Sequence, residues 1–237
     1  MRLYDFLESG NGYKVRLALH QLGIPFERVE MDIVAGATRT PGFLEKNPNG
    51  RIPTLELPDG TFLAESNAIL FYLADGTPLL PTDRLERAQV LQWMFFEQYS
   101  HEPNIATSRY WLHHVELTPE RRAALVEKKR AGDAALGVME MHLASRTFFV
   151  GGRYTIADIA LYAYTHAAAD GCFDLGSYPA IVRWLERVRA QPGWVAMPAQ
   201  WAADCICASG AKSTLCSTRR ALCRPPSRSA TCRFSSR

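Results

Sequence analysis

The sequence NPNGRIPTLELPDGTFLAESNAIL, residues 47–70, decides the fold because it places a turn, two strands and a helix start in fixed order. Pro53 opens an apolar run, where a residue without an N–H suits a tight turn, open to a cis bond, better than a central strand. Two short apolar runs flank Pro58-Asp59-Gly60, whose turn chemistry predicts an antiparallel hairpin. Ser66 precedes a further apolar run, so it predicts a helix N-cap whose N–H groups favour an anion.

The chain before this stretch predicts a strand, a helix and a second strand. Residues 2–6 alternate in the manner of a strand, and residues 12–22 carry an apolar stripe close to helical spacing. Residues 26–30 predict the second strand. Together with the hairpin and the helix after it, the order is βαβ followed by ββα, a thioredoxin-like plan over residues 1–76.

The loop Glu8-Ser9-Gly10-Asn11-Gly12 carries the predicted chemistry. Its two glycines are expected to let the backbone bend sharply, which brings Ser9 and Asn11 to the first turn of the following helix. A hydroxyl there can donate a hydrogen bond to a bound thiolate, and the helix dipole favours the same negative charge. The alternative is that Ser9 or Asn11 only caps the helix.

These motifs, in this order and spacing, resemble the glutathione transferase family over residues 1–200. The resemblance implies that the Ile52-Pro53 turn binds the cysteinyl part of glutathione through its backbone and that Glu65 and Ser66 hold the γ-glutamyl end. It also implies a serine-type site in which Ser9 activates the thiol. Some bacterial members place an asparagine two residues later against the sulfur, which matches Asn11. No metal is implied.

Three further residues are candidates on the glutathione side. Arg51 and Arg39 are candidates for the glycyl carboxylate, because a guanidinium binds a carboxylate through two hydrogen bonds. Each arginine could equally be an exposed surface charge. Tyr4 is a further candidate for the thiol, since other classes of the family use an early tyrosine, but its place inside a strand favours packing.

The second part of the chain predicts an all-helical domain over residues 83–200, after a linker rich in turn formers. Thr118-Pro119 predicts a capped helix start, and Thr155 with Asp158 predicts a capping box, so Asp158 is interpreted as structural. The fold class is therefore an α/β thioredoxin-like domain followed by an all-α domain. The predicted helices span 83–114, 118–144, 155–169 and 178–190.

The long first helix of this domain is expected to form the wall that faces the bound thiol. Tyr110 is the candidate kept for substrate binding, although the sequence does not say which face points inward. His113-His114 does not predict a metal site, because adjacent positions do not share a helix face and no third ligand is evident. The other candidates on this helix are Glu97, Tyr99, His101, Arg109 and Trp111.

The segment 201–237 departs from the pattern and predicts a disordered, aberrant extension. Its seven Lys and Arg residues against Asp204 give +6 from residue 204 onward, so the rest of the chain carries −3 of the total +3. It lacks a helical stripe, interleaved aromatics and CxxC spacing, which disfavours nucleic acid, a membrane surface or zinc as a partner. Five of the six cysteines lie in it: Cys205, Cys207, Cys216, Cys223 and Cys232.

The sequence predicts a cytoplasmic glutathione transferase that conjugates the thiolate to small electrophiles in detoxification, with no signal peptide or membrane span. Family resemblance implies a homodimer. Two alternatives stay open at this point: a glutathione-dependent disulfide or peroxide reductase, and a non-catalytic binding protein. Loss of function through the extension is a third possibility.

Overall fold

The computed structural model describes residues 1–198, and these form part of one compact unit. The N-terminal half is a thioredoxin-like domain. Its elements are β1 (Arg2–Asp5), α1 (Gly10–Gln21), β2 (Glu27–Glu30), α2 (Pro41–Leu44), β3 (Thr54–Glu56), β4 (Phe62–Ala64) and α3 (Ser66–Ala74). The four strands lie in the order β2-β1-β3-β4. β1 pairs in parallel with β2 and antiparallel with β3, and β3 pairs antiparallel with β4.

The C-terminal half is helical, so the predicted fold class is confirmed. A π-helical turn, Glu97–His101, joins α4 (Arg84–Phe96) to α5 (Glu102–His114), and together they form one continuous helical element where the sequence predicted a single helix. The predicted helix over 155–169 ends as an α-helix at Thr165 and is followed by a 3₁₀ turn. The helices are α4 (Arg84–Phe96), α5 (Glu102–His114), α6 (Pro119–Leu143), α7 (Ile156–Thr165) and α8 (Pro179–Arg189).

The start of α3 differs from its prediction. Ser66 is the first helical residue, and the N-cap is Glu65, whose φ of 66° lies in the left-handed region. That conformation is costly for a residue with a Cβ atom, and such strain concentrates at functional sites. A sequence rule based on capping propensity misplaces this boundary by one residue, because it has no signal for a strained glutamate.

Asp158 is the buried polar centre of the helical domain. The capping box with Thr155 is present, as predicted. Beyond it, Asp158 accepts hydrogen bonds from the Phe149 N–H at 3.2 Å and from Trp184 Nε1 at 2.9 Å. With the Thr155 N–H and Oγ1 at 2.9 and 3.1 Å, four donors meet this carboxylate. The structural interpretation of Asp158 therefore matches its contacts.

Two predictions concern membrane-spanning helices and the segment 201–237. Among residues 1–198, no helix combines the length and the apolar character that crossing a membrane requires. The predictions for residues 201–237 lie outside the described residues.

Candidate active site

A cleft with a volume of about 630 Å³ lies between the two halves of residues 1–198. Its walls come from the β1–α1 loop, the turn before β3, the start of α3, and the junction of α4 and α5. The structure brings nine of the nominated residues to this cleft, whereas their individual roles stay predictions. They are Ser9, Asn11, Arg39, Arg51, Ile52, Pro53, Glu65, Ser66 and Tyr110.

Ser9 is the N-cap of α1. Its Oγ accepts a hydrogen bond from the Gly12 N–H at 3.2 Å. The capping role that the sequence left open is therefore present. A serine hydroxyl also carries a hydrogen, so Ser9 can cap the helix and still donate toward the cleft that it lines.

Gly10 and Gly12 are needed for a reason that differs from the predicted sharp bend. Both lie within α1 and neither has a positive φ, so they do not provide a sharp bend. A Cβ atom on Gly10 would stand 2.4 Å from the Tyr164 ring, and one on Gly12 would stand 1.5 Å from Asp5 Oδ1. Glycine is required here because two other parts of the fold approach the helix closely.

The Asn11 side chain is held at both ends. Its Nδ2 donates to Glu102 Oε1 at 2.7 Å, and its Oδ1 accepts from Ser66 Oγ at 3.2 Å. Its backbone N–H donates to Tyr164 Oη at 3.2 Å. The loop from the thioredoxin-like domain is thus fastened to both α5 and α7 of the helical domain.

The Ile52-Pro53 peptide bond is cis, the conformation that the sequence left open for this turn. Asn47, which the sequence did not nominate, braces the turn: its Nδ2 donates to the Arg51 carbonyl at 2.8 Å and to Thr54 Oγ1 at 3.1 Å. Asn47 is buried and lies among the residues that line the cleft.

Two exposed arginines border this turn. Arg51 precedes it directly, and Arg39 reaches it from the 3₁₀ turn Ala37–Arg39, where its Nη1 donates to the Asn49 carbonyl at 3.2 Å. Tyr4 lies elsewhere: its hydroxyl donates to Glu56 at 2.8 Å and its ring packs near Phe43 and Phe62. Its packing role is the one that these contacts support.

The helical wall differs from the predicted set. Tyr110 lines the cleft, and its ring stacks on His114 with the centroids 4.9 Å apart. Glu97 and His101 are fully buried, so their nomination as contacts of an electrophile is wrong. Tyr99, Arg109 and Trp111 also lie outside the lining. Five residues that the sequence missed complete this wall: Gln98, Glu102, Ala106, Thr107 and, from α7, Tyr164.

A π-helical turn separates the side chains of α4 from those of α5. A π turn inserts one extra residue into a helix and rotates every later side chain relative to a 3.6-residue repeat. A 3.6-residue repeat in α4 therefore does not give the inward face of α5. The Arg109 side chain turns away from the cleft, to the Glu8 carbonyl at 3.0 Å and to Asp170 at 3.4 Å.

A buried ion cluster lies behind this wall. Lys14 Nζ is 2.8 Å from Glu97 Oε1 and 3.4 Å from Glu102 Oε2, and the Lys14 side chain is fully buried. Burial raises the pKa of Glu97 to about 7, against the opposing effect of Lys14. Burial, with Lys14 nearby, lowers the pKa of His101 to about 3, so that imidazole is neutral at physiological pH. This cluster could not be predicted from the sequence, because a lysine in a helix predicts solvent exposure.

Among residues 1–198, no group of three His, Cys, Asp or Glu side chains could hold a metal ion. His113 instead contacts the Asp170 carbonyl at 3.0 Å, and His114 lies 3.4 Å from Glu8 Oε2. The chemistry that the cleft offers includes hydroxyl, amide and backbone donors, two helix N-termini, the Glu65 and Glu102 carboxylates, and arginine charges.

The chain has close structural relatives. A glutathione S-transferase from Pseudomonas fluorescens is 52% identical with a TM-score of 0.81, over 83% of this chain and 98% of that one. Ure2p in complex with glutathione is 25% identical with a TM-score of 0.74, over 81% of this chain and 90% of that one.

Curated relatives differ in activity and length. The disulfide-bond oxidoreductase YfcG of Escherichia coli is 31% identical over 195 residues, which cover 79% of this chain and 89% of YfcG. Elongation factor 1-gamma of Artemia salina is 33% identical over 190 residues, and the match covers 78% of this chain but only 43% of that protein.

Two family descriptions match the chain directly. The glutathione S-transferase N-terminal domain matches residues 1–75, and the glutathione S-transferase C-terminal domain matches residues 93–192. The chain belongs to the glutathione S-transferase family.

Proposed function

We propose that this protein conjugates the thiolate of glutathione to small electrophilic molecules. One observation carries the proposal: the Ser9 hydroxyl at the N-terminus of α1, the Ile52-Pro53 turn and the Glu65-Ser66 helix start line the same cleft. These are the groups that a thiol, a cysteinyl backbone and a γ-glutamyl end require, and they lie in one place although they are far apart in the sequence.

In this proposal, Ser9 donates its hydroxyl hydrogen to the glutathione sulfur, while its oxygen still accepts the hydrogen bond from the Gly12 N–H. A free cysteine thiol has a pKa of about 8.5, and each unit of lowering needs about 1.36 kcal/mol of preferential stabilisation of the thiolate. A hydrogen bond to a charged group contributes roughly 1.5–3 kcal/mol, and the α1 dipole adds roughly 0.3–1 kcal/mol. The two together are sufficient to lower the thiol pKa by about two units.

The reaction then follows from position and charge. The thiol proton leaves to solvent, and the sulfur lone pair attacks the electrophilic carbon to form a C–S bond while a leaving group departs or a conjugated double bond takes up the electron pair. Tyr110, Ala106 and Thr107 form the wall on the side of the electrophile. Glu65 and Ser66 bind the γ-glutamyl end, and Arg51 or Arg39 binds the glycyl carboxylate.

The test is titration of the purified protein with glutathione while thiolate absorbance is followed across pH. We expect a bound thiol with a pKa well below its free value. Mass spectrometry of the products with an activated aryl halide should then show a thioether. Absence of glutathione binding would overturn the proposal.

Reduction of disulfides through glutathione is the second candidate, favoured by the similarity to the disulfide-bond oxidoreductase YfcG. Here the thiolate attacks a sulfur rather than a carbon, so a glutathionyl mixed disulfide forms and a thiolate leaves. Turnover of a small disulfide without thioether formation on any electrophile would favour this reaction, and turnover of a hydroperoxide would favour peroxide reduction.

A binding function without catalysis is the third candidate, favoured by the similarity to elongation factor 1-gamma. It predicts that glutathione is retained with an unshifted thiol pKa. It also predicts no turnover of electrophiles, disulfides or peroxides. The same titration and product assays therefore separate all three candidates.

The proposal includes a glutathione-binding domain at 1–76 and an electrophile-binding domain at 83–200.

It also includes a homodimer, supported by large apolar side chains that are exposed in a single chain: Phe95 and Tyr99 near the α4 end, and Met141 on α6. Sedimentation velocity should give twice the chain mass, and Phe95→Asp should shift it toward the monomer. A cytoplasmic location in detoxification fits because reduced glutathione is abundant there.

A further inference from the structure

Lys14 is a buried cation that the proposed reaction does not use. Transfer of an ammonium group out of water costs several kcal/mol unless it is paired and fully hydrogen-bonded. Its three N–H hydrogens meet three acceptors: Glu97 at 2.8 Å, Glu102 at 3.4 Å and Ser66 Oγ at 3.4 Å. The Tyr164 ring lies 5.7 Å from the same nitrogen.

Two of those three acceptors hold the Asn11 amide. Glu102 binds Lys14 through Oε2 and accepts from Asn11 Nδ2 through Oε1. Ser66 Oγ accepts from Lys14 and donates to Asn11 Oδ1. Lys14 therefore contacts the partner of each end of the amide without contacting the amide itself.

The direction of these bonds fixes the orientation of the amide. An ionised carboxylate only accepts hydrogen bonds, so Glu102 must face the NH₂ end of Asn11. A hydroxyl can donate or accept, and Ser66 alone would tolerate either end. Ser66 Oγ accepts from Lys14 and gives its single hydrogen to Asn11 Oδ1, so the Ser66 and Glu102 contacts favour the same orientation, and Lys14 holds both partners in place.

We propose that Lys14 is a positioning residue of the glutathione site, which orients the Asn11 amide through Ser66 and Glu102 so that its second N–H donates to the bound sulfur. This inference rests on the proposed function. A primary amide nitrogen has two hydrogens, and Glu102 takes one of them. A flipped amide would present its carbonyl oxygen, which repels a thiolate.

The variant Lys14→Met alone leaves Glu97 buried without its cation and risks unfolding. The double variant Lys14→Met with Glu97→Gln removes both charges at no change in net charge, and the glutamine can still accept from Asn67 Nδ2. The matched control is Lys129→Met with Asp133→Asn, which removes a partly exposed lysine–carboxylate pair on α6. All variants are tested as the full chain, with urea unfolding to establish that they fold.

The readout is the thiol pKa of bound glutathione, which a merely structural lysine would not move. We expect the Lys14/Glu97 double variant to raise it by about one unit, as one hydrogen bond to a charge is worth roughly that much. Asn11→Ala should raise it similarly, and adding Asn11→Ala to the double variant should raise it no further. The control pair should leave it at the wild-type value.

A second variant keeps the test decisive if the double variant does not fold. Glu102→Gln retains the Lys14–Glu97 pair but replaces a pure acceptor by an amide that can both donate and accept, so the Asn11 orientation is no longer imposed. Loss of a nearby negative charge by itself would lower the thiol pKa, whereas loss of orientation raises it. A rise supports the orientation of Asn11 through Glu102, on which the role of Lys14 depends, and a fall overturns it.

Failure of the proposed function is distinguishable from failure of this inference. If wild-type protein does not lower the thiol pKa, the conjugation proposal falls and the role of Lys14 falls with it. If the wild-type pKa is lowered and the Lys14/Glu97 double variant matches it, the reaction stands and Lys14 is structural only.

Discussion

Ser9→Ala removes the Oγ atom, and this loss has two separable consequences. The first is loss of the helix cap, because Oγ accepts the Gly12 N–H at 3.2 Å. Replacement of an N-cap serine by alanine costs about 1 kcal/mol of the free energy of unfolding. The second is loss of the proposed hydrogen bond to the thiolate, which costs roughly 1.5–3 kcal/mol and raises the bound thiol pKa by about one to two units.

The pH dependence of the rate shows whether Ser9→Ala raises the thiol pKa. A thiol with a pKa of about 6.5 is roughly three-quarters ionised at pH 7, and one with a pKa of about 8 is roughly one-tenth ionised. The rate deficit of Ser9→Ala should therefore be about eightfold near pH 7. It should nearly vanish above about pH 9, because both thiols are then almost fully ionised. Thiolate absorbance of the glutathione complex measures the same shift without turnover.

Two control variants isolate the effects. Ser9→Thr keeps a hydroxyl and a capping oxygen, so it should retain most of the thiol pKa shift. Thr118→Ala removes a comparable cap at the start of α6, where the Thr118 side chain accepts the Arg121 N–H at 3.3 Å. It should lower stability to urea by about 1 kcal/mol and leave the thiol pKa unchanged. If Ser9→Ala behaves like Thr118→Ala in both assays, Ser9 is a cap only, and Asn11 becomes the group that meets the sulfur.

Four further outcomes are expected from the cleft and the core. Glu65→Gln should weaken glutathione binding by about 1 kcal/mol, roughly fivefold, with little change in kcat, and an unchanged Kd by calorimetry would move the γ-glutamyl pocket elsewhere. Arg51→Met should weaken binding of glutathione but not of its glycinamide analogue, whereas equal losses would exclude a contact with the glycyl carboxylate. Tyr110→Ala should raise KM for the electrophile and leave the thiol pKa alone, so a shifted thiol pKa would count against its place on the electrophile side. Asp158→Ala should lower the free energy of unfolding by about 3–5 kcal/mol in urea titration, because four buried donors lose their acceptor, and a loss below about 1 kcal/mol would contradict that accounting.

Much of the fold could be predicted because its signals are local. The hairpin around Pro58-Asp59-Gly60, the Thr118-Pro119 helix start and the Thr155 capping box depend on a few adjacent residues, and each is present in the structure. The side of the cleft proposed to bind glutathione could be nominated for the same reason. Its residues stand at turns and helix starts, where side-chain chemistry and backbone geometry are coupled.

The features that escaped prediction depend on distant contacts. Lys14 has the sequence context of an exposed helical residue, and only Glu97 and Glu102, more than 80 residues away, make its burial tolerable. Gly12 reflects the approach of Asp5 rather than a turn. The register of α5 depends on a π-helical turn that no local residue preference announces. Hydrophobic periodicity describes one helix or strand at a time, so it cannot predict the contacts between two elements that are distant in the sequence.

The same contacts show that the proposed glutathione side of the cleft depends on the helical domain. Gly10 packs against the Tyr164 ring, and the Asn11 backbone donates to the hydroxyl of that tyrosine. Tyr164 lies on α7, the helix whose start is fixed by the four donors around Asp158. The loop that carries Ser9 is therefore held by a helix more than 150 residues away, so the stability of the helical core and the geometry offered to the thiol are linked. A substitution that loosens α7 is expected to alter the bound thiol before it unfolds the protein, since the hydrogen bond from Asn11 to Tyr164 is at the edge of that core.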